Sequence, residues 1–139
     1  MALRNQKPAP VVEVAAALIE QQGRYLIASV QSALSDADLL QLRDELADMV
    51  GKTRARGVIV DVTVLDVMDS FAARMLRTIA HVAQLRGAQT VICGIQPEVA
   101  FTMVQLGLTL EAVETALDLE AGIALLNQKL LRKLGALRA

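Results

Sequence analysis

Residues 57–76, with the sequence GVIVDVTVLDVMDSFAARML, combine two apolar patterns of different period. After the first glycine, residues 58–60 form an uninterrupted β-branched run, which is typical of a strand buried on both faces of a parallel sheet. From Ser70 onward the apolar residues recur at helical spacing, and this pattern continues until Gly87. The segment therefore predicts a buried strand, then a loop, then a helix that begins at Ser70.

Further strands and helices are predicted on both sides of this segment. The additional strands are residues 11–14, 24–30, 90–93 and 110–113. The first two lie close together in the chain, which favours an antiparallel pair. Residues 15–22 between them are compatible with a continued strand or with a helical segment.

Three further helices are indicated by their terminal residues. Ser35 and Asp38 have the spacing of a capping box, and the helix that they start ends at Gly51. The next helix is opened by Pro97 and closed by Gly107, as is usual for proline-first and glycine-last helices. The terminal helix is predicted over residues 118–134.

The predicted element order is β-β-α-β-α-β-α-β-α. Strands that alternate with helices favour an α/β fold, in which a mostly parallel sheet is flanked by helices. We expect a single domain over residues 11–135. Residues 1–10 contain two of the three prolines and are expected to form a flexible lead-in.

Composition excludes several classes of function. Hydrophobic residues make up 54% of the 139 residues, which excludes intrinsic disorder, and the aromatic share of 2% argues against base-stacking platforms. A net charge of −1 shows no basic excess, so we expect no nucleic-acid partner. The apolar runs are too short for a membrane span, and the single cysteine, Cys93, fits a reducing cytoplasm. A cytoplasmic protein without membrane contact is expected.

Catalytic, cofactor and metal sites are not indicated. His81 is the only histidine and has no nucleophile or metal ligand at a suitable spacing, and Cys93 lies in an apolar strand. No G-x-G-x-x-G motif or complete P-loop occurs. Asp61 and Asp66 could bind a magnesium ion, but acids that form a turn at the end of a strand are the simpler interpretation.

Ser70, at the start of the helix that follows the central strand, is the strongest candidate for a functional residue. Loops at the carboxyl ends of parallel strands are the usual location of functional sites in open α/β sheets. Two interpretations of Ser70 remain open. One is helix capping, for which serine and aspartate are preferred. The other is a phosphorylation acceptor, because a phosphate would be favoured at a helix N-terminus.

One face of the same helix carries Ser70, Arg74, Arg77 and His81, at positions i, i+4, i+7 and i+11. A hydroxyl followed by two arginines is compatible with a surface that binds a partner protein. An ordinary solvated face is the alternative.

Three blocks of the sequence resemble the STAS family, the sulphate transporter and anti-sigma-factor antagonist domain. These blocks are IVDVTVLDVMDSFAARML (59–76), ICGIQPEVAFTMVQLGL (92–108) and LEAVETALDLEAGIALL (110–126). Within the family, the Asp-Ser pair and the GIQPEVA block most resemble the RsbS-type stressosome antagonists. Few residues precede these blocks, so we expect a protein that receives a signal rather than senses one.

The resemblance implies a non-enzymatic regulator. Ser70 matches the family's phosphoacceptor, which an RsbT-like switch kinase of the GHKL type phosphorylates, and Thr102 matches a second, possible position. The implied partners are that kinase and RsbR-like STAS paralogues, in a large cytoplasmic hetero-oligomer that holds the kinase until phosphorylation releases it. Asp69 is expected to cap the helix and present Ser70, and Arg74, Arg77 and His81 to lie on the partner-binding face. The alternatives are a free anti-sigma-factor antagonist and a purely structural STAS scaffold.

Overall fold

The computed structural model describes residues 11–110 and 113–138. Within them six strands form one sheet, whose spatial order is the same as the order along the chain. The strands are β1 (Val11–Val14), β2 (Ala17–Gln22), β3 (Tyr25–Val30), β4 (Gly57–Asp61), β5 (Gln89–Cys93) and β6 (Glu114–Ala116). The helices are α1 (Asp36–Thr53), α2 (Ser70–Leu85), α3 (Pro97–Gln105) and α4 (Leu119–Arg138).

The pairing confirms an α/β fold with a mostly parallel sheet. Strands β3, β4, β5 and β6 are parallel neighbours, joined by the crossover helices α1, α2 and α3. Strands β1, β2 and β3 are antiparallel. One prediction was incomplete, because residues 15–22 contain a separate strand, β2. The antiparallel partner of β3 is therefore β2, and β1 pairs with β2 at the edge of the sheet.

The prediction of a strand at residues 110–113 was wrong in position. The strand β6 begins at Glu114, whereas Leu110 and Val113 lie outside it, and the Val113 N–H donates to the Leu110 carbonyl at 3.0 Å. Residues 111–112 and the predicted lead-in 1–10 lie outside the described residues. Helix α4 extends to Arg138, beyond the predicted end at residue 134.

The sheet has a packed core on each face. Consecutive side chains of a strand point to opposite faces, so Val58 and Val60 pack toward α1 and α2, whereas Ile59 packs toward α4. The core on the α1 and α2 side includes Leu42, Leu46, Leu76 and Ile79. The smaller core on the α4 side includes Tyr25, Ile27, Val91 and Leu126.

Polar side chains fix the starts of the helices at the carboxyl edge of the sheet, which is the side on which the parallel strands end. The predicted capping box is present at α1, where the Asp38 N–H donates to the Ser35 hydroxyl at 3.1 Å and the Ser35 N–H donates to Asp38 at 2.9 Å. At α4, Asp118 accepts from the Ala121 N–H at 2.8 Å. Because each helix runs opposite to the parallel strands, these N-termini lie beside the carboxyl ends of the strands. Ser70, at the start of α2, lies at the same edge.

Candidate functional site

The candidate site is built on the loop that joins β4 to α2. The Val62 N–H donates to the Cys93 carbonyl at 3.0 Å, and the Leu65 N–H donates to the Val62 carbonyl at 2.9 Å. The side chains of Val62, Leu65 and Met68 are buried and anchor the loop, whereas Val67 is 72% exposed. This alternation holds the loop on the core while it leaves an apolar residue in solvent just before the helix.

A hydrogen-bond network joins this loop to the neighbouring loop between β5 and α3. The Asp61 Oδ1 accepts from the Thr63 hydroxyl at 2.6 Å and from the Thr63 N–H at 3.0 Å. The Gln96 Nε2 then donates to the Thr63 carbonyl at 2.6 Å. Gly94 packs against the Asp61–Thr63 turn with a φ of 81°. The Asp61 carboxylate therefore stabilises a turn at the end of β4, as in the simpler of the two interpretations of this residue.

The N-cap of α2 is Asp69, not Ser70. The Asp69 Oδ1 accepts from the Ala72 N–H at 2.8 Å, and Ser70 is the first residue of the helix. Ser70 is exposed, and within the part of the chain that the structure describes its hydroxyl takes part in no hydrogen bond. The predicted capping role of Asp69 is therefore observed, and the capping interpretation of Ser70 was wrong. The Ser70 hydroxyl remains available for chemistry.

The two neighbouring residues should differ in their effect on stability. We expect Asp69→Ala to lower the free energy of unfolding by about 1 kcal/mol, because an N-cap acceptor is lost. Ser70→Ala should change it by less than about 0.5 kcal/mol, because an exposed hydroxyl without a partner is removed. Urea denaturation followed by circular dichroism measures both. Equal losses for the two variants would contradict the assignment of Asp69 as the cap.

An apolar groove of about 210 Å³ lies beside Ser70. Its walls come from the β3–α1 connection, the β4–α2 loop and α2. The lining residues are Ala33, Leu34, Leu39, Leu65, Asp66, Val67, Asp69, Ala72 and Leu76. The only charged lining residues are Asp66 and Asp69, both exposed near Ser70. The site thus combines an apolar groove with an acidic margin. The sequence pattern did not reveal the groove, because its walls come from segments that are distant in the chain.

The other predicted residues of α2 lie along one exposed side. Arg74 and His81 are exposed, and Arg77 is half-buried. On the apolar side of α2, Ala73 and Ala80 are buried, whereas Phe71 and Val82 are only half-buried. The structure therefore places Ser70, Arg74, Arg77 and His81 on one side of α2, whereas Ala72 and Leu76, which line the groove, lie on its other side.

The connections at the edge of the sheet that carries Ser70 contain acidic residues but no basic ones. The connections at this edge, residues 31–38, 61–70, 94–100 and 116–120, contain no lysine or arginine. They carry the carboxylates of Asp36, Asp38, Asp61, Asp66, Asp69, Glu98, Asp118 and Glu120. Acidic residues are favourable here because the helix N-termini carry partial positive charge. The surface around Ser70 is consequently acidic.

Thr102 lies on a different helix, α3, and its hydroxyl donates to the Glu98 carbonyl at 3.0 Å. In the same helix Phe101 is 71% exposed and Val104 is 79% exposed. The buried residues of α3 are instead Val99 and Met103, one turn apart. The helical spacing of Val99 and Met103 indicates that Phe101 faces away from the core. Thr102 is therefore next to exposed apolar side chains.

The single thiol is separated from solvent. Cys93 is fully buried at the end of β5, and burial, with Asp61 and Asp118 nearby, raises its pKa to about 12. A thiol with such a pKa is almost entirely protonated at neutral pH, so it is a poor nucleophile. No group of three His, Cys, Asp or Glu residues in residues 11–110 and 113–138 is arranged to hold a metal ion. In the same residues no helix is long and apolar enough to span a membrane.

Similar sequences occur among stress-signalling proteins of bacteria. RsbRA of Bacillus subtilis, an RsbT co-antagonist protein, is 34% identical over 83 residues, which are 60% of this chain and 30% of RsbRA. RsbRC of the same organism, also an RsbT co-antagonist protein, is 32% identical over 73 residues. The match spans 26% of RsbRC, so this chain corresponds to less than a third of the length of either relative.

Solved structures of stressosome proteins have the same fold. A serine-to-glutamate variant of RsbS from Moorella thermoacetica is 29% identical and superposes with a TM-score of 0.66, over 91% of this chain and 99% of RsbS. A chain from a structure of the molecular architecture of the stressosome is 30% identical, with a TM-score of 0.64 over 79% of this chain and 96% of that one. The model of the STAS domain matches residues 16–121. With its parallel sheet, its acidic site edge and these relatives, the chain belongs to the STAS domain family.

Proposed function

We propose that the protein is a non-enzymatic, RsbS-like antagonist that is controlled by phosphorylation at Ser70. In this proposal it holds an RsbT-like switch kinase of the GHKL type within a cytoplasmic stressosome complex, together with RsbR-like STAS paralogues. The kinase transfers the γ-phosphoryl group of ATP to the Ser70 hydroxyl oxygen, with loss of the hydroxyl proton and departure of ADP, and is then released. The observation that carries the proposal is the exposed Ser70 hydroxyl, left unbonded because Asp69 caps the helix.

The surroundings of Ser70 support a docking role. The groove of about 210 Å³ offers an apolar contact, and the Asp66 and Asp69 carboxylates lie at its margin. Arg74, Arg77 and His81 extend the surface along α2. In the relative from Moorella thermoacetica a serine has been replaced by glutamate, a change that adds a negative charge.

Phosphorylation would alter this surface mainly through charge. A phosphoserine adds about −1.5 to −2 charges at neutral pH. The N-terminus of α2 stabilises that charge, so the domain stays folded. The phosphate would nevertheless stand beside Asp66 and Asp69 at the margin of the apolar groove, where its hydration and its bulk would oppose close apolar contact with the kinase. Release of the kinase without unfolding of the domain is the expected consequence.

The proposal is tested by incubating the protein with an RsbT-like GHKL kinase and ATP, followed by mass-spectrometric mapping of the phosphate. Label is expected on Ser70 and is expected to disappear in Ser70→Ala. The Thr102→Ala variant is the matched control and should keep the label, because the Thr102 hydroxyl is bonded to the backbone of α3. Label on Thr102 alone, or no label on the intact chain, would contradict the proposal.

Two alternatives have distinct outcomes. A free anti-sigma-factor antagonist would bind its kinase as a monomer or dimer and would not form large complexes with an RsbR-like paralogue. A purely structural scaffold would form those complexes but would bind the kinase equally with Ser70→Ala and Ser70→Asp. The stressosome relatives favour assembly with paralogues. Light scattering after size-exclusion chromatography identifies a free antagonist, and kinase binding by the two Ser70 variants identifies a scaffold.

A further inference from the structure

Two connected grooves lie at the opposite edge of the sheet from Ser70, beside the amino ends of β4 and β5. The first has a volume of about 290 Å³ and lies between these strand ends and the second half of α4. The second, of about 420 Å³, lies between the end of α1 and the turn after α2. Both are lined by Arg56 and Gly87, so they form one continuous depression, called here the amino-edge groove.

The charged side chains that line the amino-edge groove are all basic. They are Arg54, Arg56, Arg86, Lys129, Arg132 and Lys133. Lys129 is paired with Glu114 at 2.9 Å. Within residues 11–110 and 113–138, Arg56, Arg132 and Lys133 have no carboxylate within salt-bridge distance. The groove therefore gathers cations in a chain whose net charge is −1.

The absence of a side chain at Gly51 leaves room for one of these cations, Arg86. Gly51, in the last turn of α1, lies under the Arg86 guanidinium, and a Cβ at this position would overlap that group. Gly87 has a φ of 94° and adds no side chain to the shared part of the groove. Glycines at these two positions leave the groove open and basic.

The lining is apolar as well as basic. Leu126 and Leu130 of α4 line the first part, and Leu130 is only half-buried. No aromatic side chain lines either part, so the groove has no platform on which a nucleic-acid base could stack. Cations around an aliphatic surface are complementary to carboxylates that alternate with aliphatic side chains. That chemistry is typical of an acidic segment of a protein.

We propose that the amino-edge groove binds an acidic, leucine-containing segment of a partner protein. The groove lies at the opposite edge of the sheet from Ser70, so one domain can hold this segment while Ser70 and α2 remain accessible. The inference uses only the groove and its charges, and it does not depend on phosphorylation at Ser70. It gives the domain a second contact surface, whose charge is opposite in sign to that of the acidic margin.

The test uses fluorescence anisotropy with a labelled peptide in which glutamate and leucine alternate. We expect the intact chain to bind this peptide, and the variant Arg56→Gln/Arg132→Gln to bind it about tenfold more weakly, because two cations without a carboxylate partner are removed from the groove. Arg43→Gln is the matched control, because Arg43 lies on α1 and is paired with Asp44 outside the groove. It should bind like the intact chain, and unchanged thermal melts would show that all variants fold.

Three results would overturn the inference. The first is equal binding of the glutamate–leucine peptide and a lysine–leucine peptide. The second is a single-stranded oligonucleotide that binds more tightly than the acidic peptide and is weakened by the same double substitution, which would identify a nucleic-acid surface. The third is self-association of the intact chain that this substitution abolishes, which would make a second copy the occupant. Phosphate mapping at Ser70 is unaffected by any of these results, so the two proposals fail independently.

Discussion

Ser70→Asp is expected to bind the switch kinase at least about tenfold more weakly than the intact chain, a loss of about 1.4 kcal/mol. Ser70→Ala is expected to bind it with unchanged affinity and to retain it after ATP is added. The reason is that a third carboxylate, beside Asp66 and Asp69 at the margin of the apolar groove, would lose its hydration when the kinase covers the groove. Alanine leaves that margin unchanged and removes only the acceptor hydroxyl.

Immobilised variants incubated with the kinase, before and after addition of ATP, provide the measurement. Ser70→Asn is the matched control, since asparagine has nearly the size of aspartate without its charge. If charge causes release, Ser70→Asn binds more like Ser70→Ala than like Ser70→Asp. Equal kinase affinity of Ser70→Ala and Ser70→Asp would remove the basis for a phosphorylation switch at this position.

Gly94→Ala is expected to lower the free energy of unfolding by about 3 kcal/mol. Gly94 has a φ of 81°, a conformation that costs other residues about 1–2 kcal/mol. An added Cβ would also overlap the Thr63 hydroxyl and approach the Asp61 Oδ1 to 3.0 Å. Relieving that overlap requires the Asp61–Thr63 turn to open, and overpacking of this kind costs about 1–3 kcal/mol.

Gly87→Ala separates the cost of backbone strain from the cost of overlap with the Asp61–Thr63 turn. Gly87 has a similar φ of 94°, but a Cβ there has no atom within 4 Å. We therefore expect Gly87→Ala to cost only about 1 kcal/mol, from backbone strain alone. Urea denaturation of both variants tests the difference, and adding Thr63→Ala to Gly94→Ala should recover part of the larger loss. Equal losses for Gly87→Ala and Gly94→Ala would mean that the contact with the turn contributes nothing.

The α/β class was predictable because its strongest signals are local. Buried β-branched runs at β4 and β5 and the helix-terminal residues Ser35 and Pro97 are properties of short segments. The turn between β1 and β2 was not predictable in this way. It is formed at Ala15, which has a φ of 53° although it is not glycine, asparagine or aspartate, so the usual turn signal is missing.

The position of β6 depended on tertiary structure. Residues 110–113 contain larger apolar side chains than Glu114–Ala116, and they therefore resemble a strand more closely. The observed strand is instead selected by pairing with β5, in which Val91 lies opposite Glu114. Local β propensity is a weak determinant when a three-residue edge strand is defined by its neighbour.

At the candidate site, residue types were predictable and their division of roles was not. The Asp69–Ser70 pair contains two good capping residues, and the sequence left open which of them caps the helix. The structure shows that Asp69 caps and Ser70 does not. The exposure of Phe101 could have been predicted from the spacing of Val99 and Met103. The groove beside Ser70 could not, because Leu34, Leu65 and Leu76 come from three separate segments.

The spatial order of the sheet, β1 to β6, has a consequence for synthesis. Every strand pairs with the strand immediately before it in the chain, so no pairing waits for a segment that the ribosome has yet to release. The first three strands need only short hairpin connections, and each later strand adds to an edge that already exists once its crossover helix has emerged. During synthesis the sheet can therefore grow in one direction, from β1 to β6. At each stage, only the most recently added strand waits for a further partner strand.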